Sequence, residues 1–483
     1  MKNVIEDKID QSISDVPSFD ETWNRVDVTK LGKKKSKKPW IIGLCSGGVA
    51  LVLTAAIVTP LALLNKTPES YSGVTLLRHP AKAEYNSNTS VISKDFKEKL
   101  NNFSAKFTDL AYDYLNSDGE NQCVSPLSLY MALSLVEECT SGTARDEVLS
   151  ALGMTHEDVS TMTKPLFESS TREYYGGDTS KTLMGRESLT NSIWGSPSFS
   201  KKDECLDDLA NNLYCYPYEA DWANNNKSAN SALRKFISEQ TNGLIDHDWN
   251  FDTSTLFLLM NTLYWKDAWL ETGEELAKWT SDYSFEDYAG SKKSMTAYRA
   301  NYINGKTYES EAFRTCFART SHGYKLKFVI PKDGYSLKEI WNQNTIKEVN
   351  SVDYYAGAFD DLNNKQYQTR CIFPEFSLSY VLDLGEIFRD CLGINEIFAN
   401  PRSFSTLTDD YCLCGGALQE TRLDITKKGG EGAAVTIIYQ SEATSYRDAE
   451  LVSEDFVVDR AFGYILTDSN DVPLFSGVVN QIE

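Results

Sequence analysis

Hydrophobic and polar positions divide the chain into four stretches. Residues 1–38 are polar and of mixed charge, whereas residues 39–64 hold no charged side chain across 26 positions. About 20 helical residues cross a hydrocarbon core ~30 Å thick, so the second stretch is long enough to span a membrane. Lys33, Lys34, Lys35, Lys37 and Lys38 stand immediately before it. Lysines collect on the cytoplasmic flank. The pattern therefore predicts a cytoplasmic tail over 1–38, one transmembrane signal-anchor helix over 39–64, and the rest of the chain outside the plasma membrane. A cleavable signal peptide fits less well, because its leader is short and its apolar stretch is ~7–15 residues. Residues 65–91 turn polar, with Pro68 and Pro80 among Asn and Ser, and read as an extracellular tether.

From residue 92 the pattern is that of a folded domain. Phe96, Leu100, Phe103, Phe107, Leu110 and Tyr114 recur every three or four positions, one stripe of an amphipathic helix. Ser125-Pro126 is a start signal for a helix over 127–136, and Asn242-Gly243 stops another over 228–240. Residues 256–265 are apolar and aromatic, a buried strand. Residues 325–330 alternate before the turn Pro331-Lys332-Asp333-Gly334, and two further strands over 461–466 and 473–479 flank Asp468-Ser469-Asn470-Asp471. There is no internal repeat. The prediction is one α+β domain over 92–483, mixed helices packed on large, mainly antiparallel β-sheets.

Composition changes this picture in two ways. A hydrophobic fraction of 41% and an aromatic fraction of 12% fill a large core and exclude disorder over most of the length. The net charge of −21 repels phosphate backbones, so no nucleic-acid partner is expected. Of the ten cysteines, Cys45 lies in the apolar run and the other nine are irregularly spaced. They read as small buried hydrophobes rather than a disulfide scaffold. Cys412-x-Cys414 is too short for a zinc knuckle. The four histidines, His79, His156, His247 and His322, show no zinc spacing, and neither a Gly-x-Ser-x-Gly turn nor a phosphate-binding loop is present. Abundant carboxylates leave a paired-acid glycosidase open as the enzyme reading. No metal, cofactor or catalytic residue is otherwise indicated.

Several blocks in one order carry a family resemblance. NQCVSPLSLYMALSLVEECTSGTARDEVLSALGM over 121–154 resembles the serpin segment around its second helix. Thr241-Asn242-Gly243-Leu244-Ile245 resembles a helix-ending turn of that family, and Asn261-Thr262-Leu263-Tyr264-Trp265-Lys266-Asp267-Ala268-Trp269 the strand that ends in its breach tryptophan. Phe373-Pro374-Glu375-Phe376-Ser377, Asp383-Leu384, Leu392-Gly393-Ile394 and Pro473-Leu474-Phe475-Ser476-Gly477-Val478-Val479-Asn480 continue it to the C-terminus. The resemblance implies a serpin-like fold with an exposed reactive loop. It implies suicide inhibition of serine proteases, with papain-like cysteine proteases as further partners. The loop is cut, an acyl-enzyme forms, and the severed loop enters the main sheet as a new strand. A non-inhibitory serpin acting as a surface binding protein is the other function that the family allows.

The matching hinge is Gly429, Gly430, Glu431, Gly432, Ala433, Ala434, Val435 and Thr436. In an inserted strand alternate residues face the core. Gly430, Gly432, Ala434 and Thr436 would take that face, all small, with Glu431 on the outer one. The hinge departs from the family in having Gly430 where inhibitors usually carry Thr or Ser. Gln419 stands where a histidine is common at the sheet's opening point. Its amide is expected to bond Ser125, Ser128 or Asn261, and Trp269 matches the breach tryptophan. Family spacing places the reactive bond at Ala443-Thr444, whose small first residue suits an elastase-like pocket. Arg447-Asp448 is the second choice and suits a trypsin-like one. Counting back from Ala461-Phe462 reaches Glu450 instead, because the loop is lengthened.

Overall fold

Ser125 sets the first local rule of the fold. Its Oγ accepts the backbone N–H of Ser128 at 3.2 Å, and Pro126 occupies the first helical position, where a missing N–H costs nothing. The computed structural model describes residues 71–115, 119–175, 183–270, 275–279, 281–431 and 449–482. The helices used below are α1 (Lys94–Leu115), α2 (Pro126–Cys139), α3 (Gly142–Leu152), α4 (His156–Ser169), α5 (Asp203–Asn212) and α6 (Trp222–Gln240). The strands are β1 (Val74–Leu76), β2 (Leu183–Gly195), β3 (Cys215–Ala220), β4 (Phe257–Ala268), β5 (Phe359–Asp360), β6 (Lys365–Pro374), β7 (Phe376–Asp383), β8 (Leu418–Thr426), β9 (Gly429–Gly430) and β10 (Glu450–Val457).

The main sheet has eight strands. Seven run in the order β1-β3-β2-β4-β9-β8-β7, and Arg172–Tyr175 pairs with β2. Antiparallel pairing dominates, although β2 and β3 are parallel, as are β6 and β10 in a second, six-stranded sheet. A third sheet contains Phe462–Thr467 and Pro473–Val479, both buried throughout. Period-2 alternation assigns the faces of the main sheet. Leu189 and Ile193 of β2 join the main core with the α1 stripe of Phe96, Leu100, Phe103 and Phe107. Trp194 points the other way, into a second cluster closed by Trp222, Leu233 and Phe236 of α6. Seven of the nine cysteines among the described residues are buried, and none of the nine is in a disulfide.

Two expectations meet the structure differently. The apolar run 39–64 and the tail before it lie outside the described residues, among which no helix is long and apolar enough to cross a membrane. Residues 71–91, grouped with the tether, do not run free. Val74, Thr75 and Leu76 pair antiparallel with Ala220, Glu219 and Tyr218 at the edge of the main sheet. Tyr71 is buried between Trp194, Tyr218 and Phe236, with ring centroids 5.9–6.3 Å apart, and its hydroxyl donates to Glu239 at 3.0 Å. Arg78 reaches Asp203 and Asp207 of α5. The polar composition of 65–91 masks this short aromatic and aliphatic segment, whose backbone groups are satisfied by an edge strand that would otherwise be open. Tyr71→Ala should therefore destabilise the fold by about 3 kcal/mol, as large-to-small changes in aromatic clusters do. Urea unfolding checks this, and a change no larger than that of an exposed substitution would refute the docking of this segment.

Candidate functional site

Gly429 and Gly430 are the point where the main sheet is joined. Gly430 pairs with Ile425 of β8 on one side and Asp267 of β4 on the other, and Gly429 pairs with Thr426 and Ala268. β4 and β8 share no other ladder among the described residues. Neither glycine has room for a side chain. A Cβ on Gly429 would overlap the Asp267 carbonyl, and its φ of +144° lies where only glycine sits without strain. A Cβ on Gly430 would overlap the indole of Trp265, itself buried in the main core against Tyr324. That packing is the physical reason for glycine where the resemblance led to an expectation of Thr or Ser.

Glu431 follows with φ +45° and turns to the opposite face. Its N–H donates to the Asp424 carbonyl at 3.0 Å. Its carboxyl accepts from the Tyr264 hydroxyl and from Asn242 Nδ2, the latter at 3.1 Å. Asn242 itself sits at φ +52° just past the end of α6, so the helix stop read from Asn242-Gly243 also supplies a hinge contact. Burial pushes the Glu431 carboxyl up from its ordinary range.

At the same end of β4, Trp269 is buried and donates its Nε1–H to the Thr426 carbonyl at 2.7 Å, tying the strand to the turn before the hinge. Asp267 is fully buried. Its carboxylate is 2.7 Å from His322 Nδ1 and accepts the His322 N–H at 3.0 Å, and the imidazole stacks on Tyr174 with centroids 3.9 Å apart. Farther along β8, Gln419 makes a two-way bond with the backbone of Ser125. Its Oε1 accepts Ser125 N–H at 2.9 Å and its Nε2 donates to Ser125 O at 2.8 Å. Ser125 Oγ donates to Leu474 O at 2.8 Å, which links β8 and α2 to the third sheet. The other two expected partners lie apart from Gln419 in this network. Ser128 gives only its N–H to Ser125, and Asn261 donates to Asn191 Oδ1 at 2.9 Å. Gly432, Ala433, Ala434, Val435 and Thr436, and both candidate reactive bonds at Ala443-Thr444 and Arg447-Asp448, lie outside the described residues.

The family model "Serpin (serine protease inhibitor)" matches residues 98–482. The chain is a serpin. Among curated relatives it is 23% identical over 382 residues to Serpin-Z10 of Arabidopsis thaliana, covering 75% of this chain and 92% of that protein. It is 21% identical over 341 residues to Neuroserpin of Homo sapiens, covering 67% and 78%. Among solved structures, native tengpin, a thermophilic serpin, superposes with a TM-score of 0.64 at 19% identity over 85% of this chain and 100% of that one. Thyroxine-binding globulin in complex with thyroxine gives 0.60 at 18% identity over 80% and 99%. These structures share the serpin fold. The sequence blocks therefore led to the right family, but not to Trp265, Tyr264 or His322 as partners of the hinge and of Asp267.

One titrating pair lines the α6 side of the same sheet. Glu420 of β8 lies 3.3 Å from His247, in the segment that follows α6. Burial pushes the Glu420 carboxyl up to about 7 and pushes the His247 imidazole down. A carboxyl whose folded pKa is raised stabilises the fold fully at low pH and loses that contribution as pH rises through the folded value. Melting temperature should therefore fall between pH 5 and pH 8 in the parent serpin and fall less in Glu420→Gln. Parallel melting curves for the two proteins across that range would exclude Glu420 as the titrating group.

Proposed function

We propose that this serpin is a suicide inhibitor of serine proteases. In this reading the anchor over 39–64 displays it on the outer face of the plasma membrane, with elastase-like enzymes as targets. Serpins generally bind serine proteases, which supports the class of partner. The observation that carries the inhibitory reading is β9. The first two hinge residues already stand as a strand between β4 and β8, so a chain continuing past Glu431 along the same line lengthens that strand. Small residues at 432–436 allow it to pass without clashes. Insertion supplies ladder partners to two strand edges and buries apolar surface, the driving force for a metastable fold that stores strain.

The chemistry up to the trap is that of an ordinary substrate. The serine Oγ of the protease attacks the carbonyl carbon of Ala443, the bond to the Thr444 nitrogen breaks, that nitrogen leaves as a protonated amine, and an ester joins the two proteins. Insertion then competes with hydrolysis of this ester. Arg447 as the residue at the bond would instead select a trypsin-like pocket.

Mixing the full chain in detergent with elastase, trypsin, subtilisin and a papain-like protease should give an adduct that survives SDS with at least one serine protease. Mass spectrometry of the released C-terminal peptide locates the cut. Clean cleavage without adduct would instead support a serpin that binds and does not trap. In Gly430→Arg a long charged side chain must enter the Trp265 face, so insertion slows and ester hydrolysis overtakes it. A rise of ~1.4 kcal/mol in the insertion barrier already shifts the partition tenfold toward cleaved serpin. Densitometry of adduct against cleaved chain reads this ratio, and an unchanged ratio would remove Gly430 from the inserting strand.

A further inference from the structure

Glu431 stands where the hinge stops being a strand. β9 ends at Gly430, and its register continued by one residue sets Glu431 opposite Asp424 of β8 and Lys266 of β4. On the β8 side that step is already made, because the Glu431 N–H donates to the Asp424 carbonyl at 3.0 Å. The backbone of Glu431 itself is not yet that of a strand. It lies at φ +45°, in the left-handed region, whereas a strand residue has a φ of about −120°. The strand can therefore grow past Gly430 only after Glu431 turns over.

A closed ring of side-chain hydrogen bonds opposes that turn. Tyr264 of β4 donates its hydroxyl proton to Glu431 Oε2. Asn242 Nδ2 donates to Glu431 Oε1 at 3.1 Å and to the Tyr264 hydroxyl oxygen at 3.3 Å. The Tyr264 hydroxyl thus gives one bond and receives another, and each strengthens the other. Neither partner can follow a moving loop. Tyr264 is buried in a central strand. Asn242 sits at φ +52° in the turn that closes α6, where the Gly243 N–H donates to the Ser238 carbonyl at 2.7 Å. A non-glycine residue in the left-handed region is strained, and the ring is what holds Glu431 there.

The charges around Glu431 show where it goes when the ring opens. Lys266 favours its carboxylate and Asp424 opposes it. In an extended strand Lys266 becomes its lateral neighbour on β4, ~5 Å away between Cβ atoms. Turning over exchanges two bonds to neutral groups for a pair with that lysine. The ring therefore delays growth of the strand without forbidding it.

We infer that Tyr264 and Asn242 are positioning residues for the insertion step, and that with Glu431 they form a latch holding the loop at the threshold of the β4–β8 space. Its part in trapping rests on the inhibitory reading above. An uncut loop is tied at Glu431 and again at Glu450, where β10 begins, so only a few residues can enter and the latch outweighs the gain. A cut loop can enter along its whole length, and the latch gives way.

Tyr264→Phe removes the hydroxyl alone, and Asn242→Gly removes the amide while suiting the positive φ. The full-length parent and both variants, in detergent, are incubated without protease below the temperature of unfolding. Samples are withdrawn for melting curves and for adduct formation with elastase and trypsin. Both variants should pass about fivefold faster than the parent into a species that melts higher, as a chain with an added strand does. Adduct formation should fall in step, while the fresh variants give a ratio of adduct to cleaved chain at or above the parental one. Equal conversion rates in all three proteins overturn the latch. Loss through a lower-melting or aggregated species overturns it too, because Tyr264 and Asn242 then merely support the fold. So does a lower adduct ratio in the fresh variants, which would mean that the ring speeds insertion. Absence of adduct from the parent overturns the inhibitory reading alone, since the conversion rates are read from melting and still decide the latch.

Discussion

The space between β4 and β8 is the constraint from which the rest of this serpin follows. At its upper end that space admits a backbone and no side chain, because Asp267 O and the Trp265 ring stand where Cβ atoms would go. Gly429 and Gly430 meet that demand and complete the ladder on both sides. Were either residue larger, β9 would leave the sheet, and β4 and β8 would lose what joins them there. Trp269, tied to Thr426 O, keeps the turn before β9 in register with β4. The hinge is therefore held by shape on one face and by hydrogen bonds at its end, and Lys427 in the turn before it pairs with Glu275 at 3.0 Å.

Acidic groups on the walls of this space are each compensated differently. Asp267 is matched with His322, Glu431 with Tyr264 and Asn242, and Glu420 lies beside a His247 that burial disfavours as a cation. A buried carboxylate with only neutral partners remains expensive. Glu420 and Glu431 are thus held uncharged more readily than surface acids, which couples the join to proton concentration. Gln419, next to Glu420, avoids this coupling altogether. Its amide satisfies both backbone groups of Ser125 at once, work that a titrating side chain in its place would do only in one protonation state.

What could be read in the sequence was local. The α1 stripe, the cap at Ser125, the stop at Asn242-Gly243 and the C-terminal strands each depend on residues within a few positions of one another, and each stands where periodicity or turn chemistry put it. The hinge was read as a run of small residues over 429–436, of which 429–431 are among the described residues, and the reason for Gly430 was not legible. Trp265 belongs to another strand, and no spacing rule links the two. The same holds for His322 and Asp267, 55 positions apart, and for Gln419 and Ser125, 294 apart. The edge strand at 74–76 was missed for a different reason. Three residues in a polar context carry too little periodic signal, and the aromatic cluster that holds Tyr71 exists only after β2, β3 and α6 have come together.

Gly430 also shows how a departure from a family pattern can follow from packing against another strand. A side chain at this position would have to share the volume now filled by the Trp265 ring, so the two positions are coupled through one packing site. With a full indole on β4, glycine is the residue that lets the hinge occupy the sheet. With a smaller residue on β4, Thr or Ser could fill the same volume, and glycine there would leave a void. Because neighbours that share a cavity do not contribute independently, Gly430 is informative only when read together with Trp265. Read that way, the unusual glycine is what the sheet requires beside this particular strand.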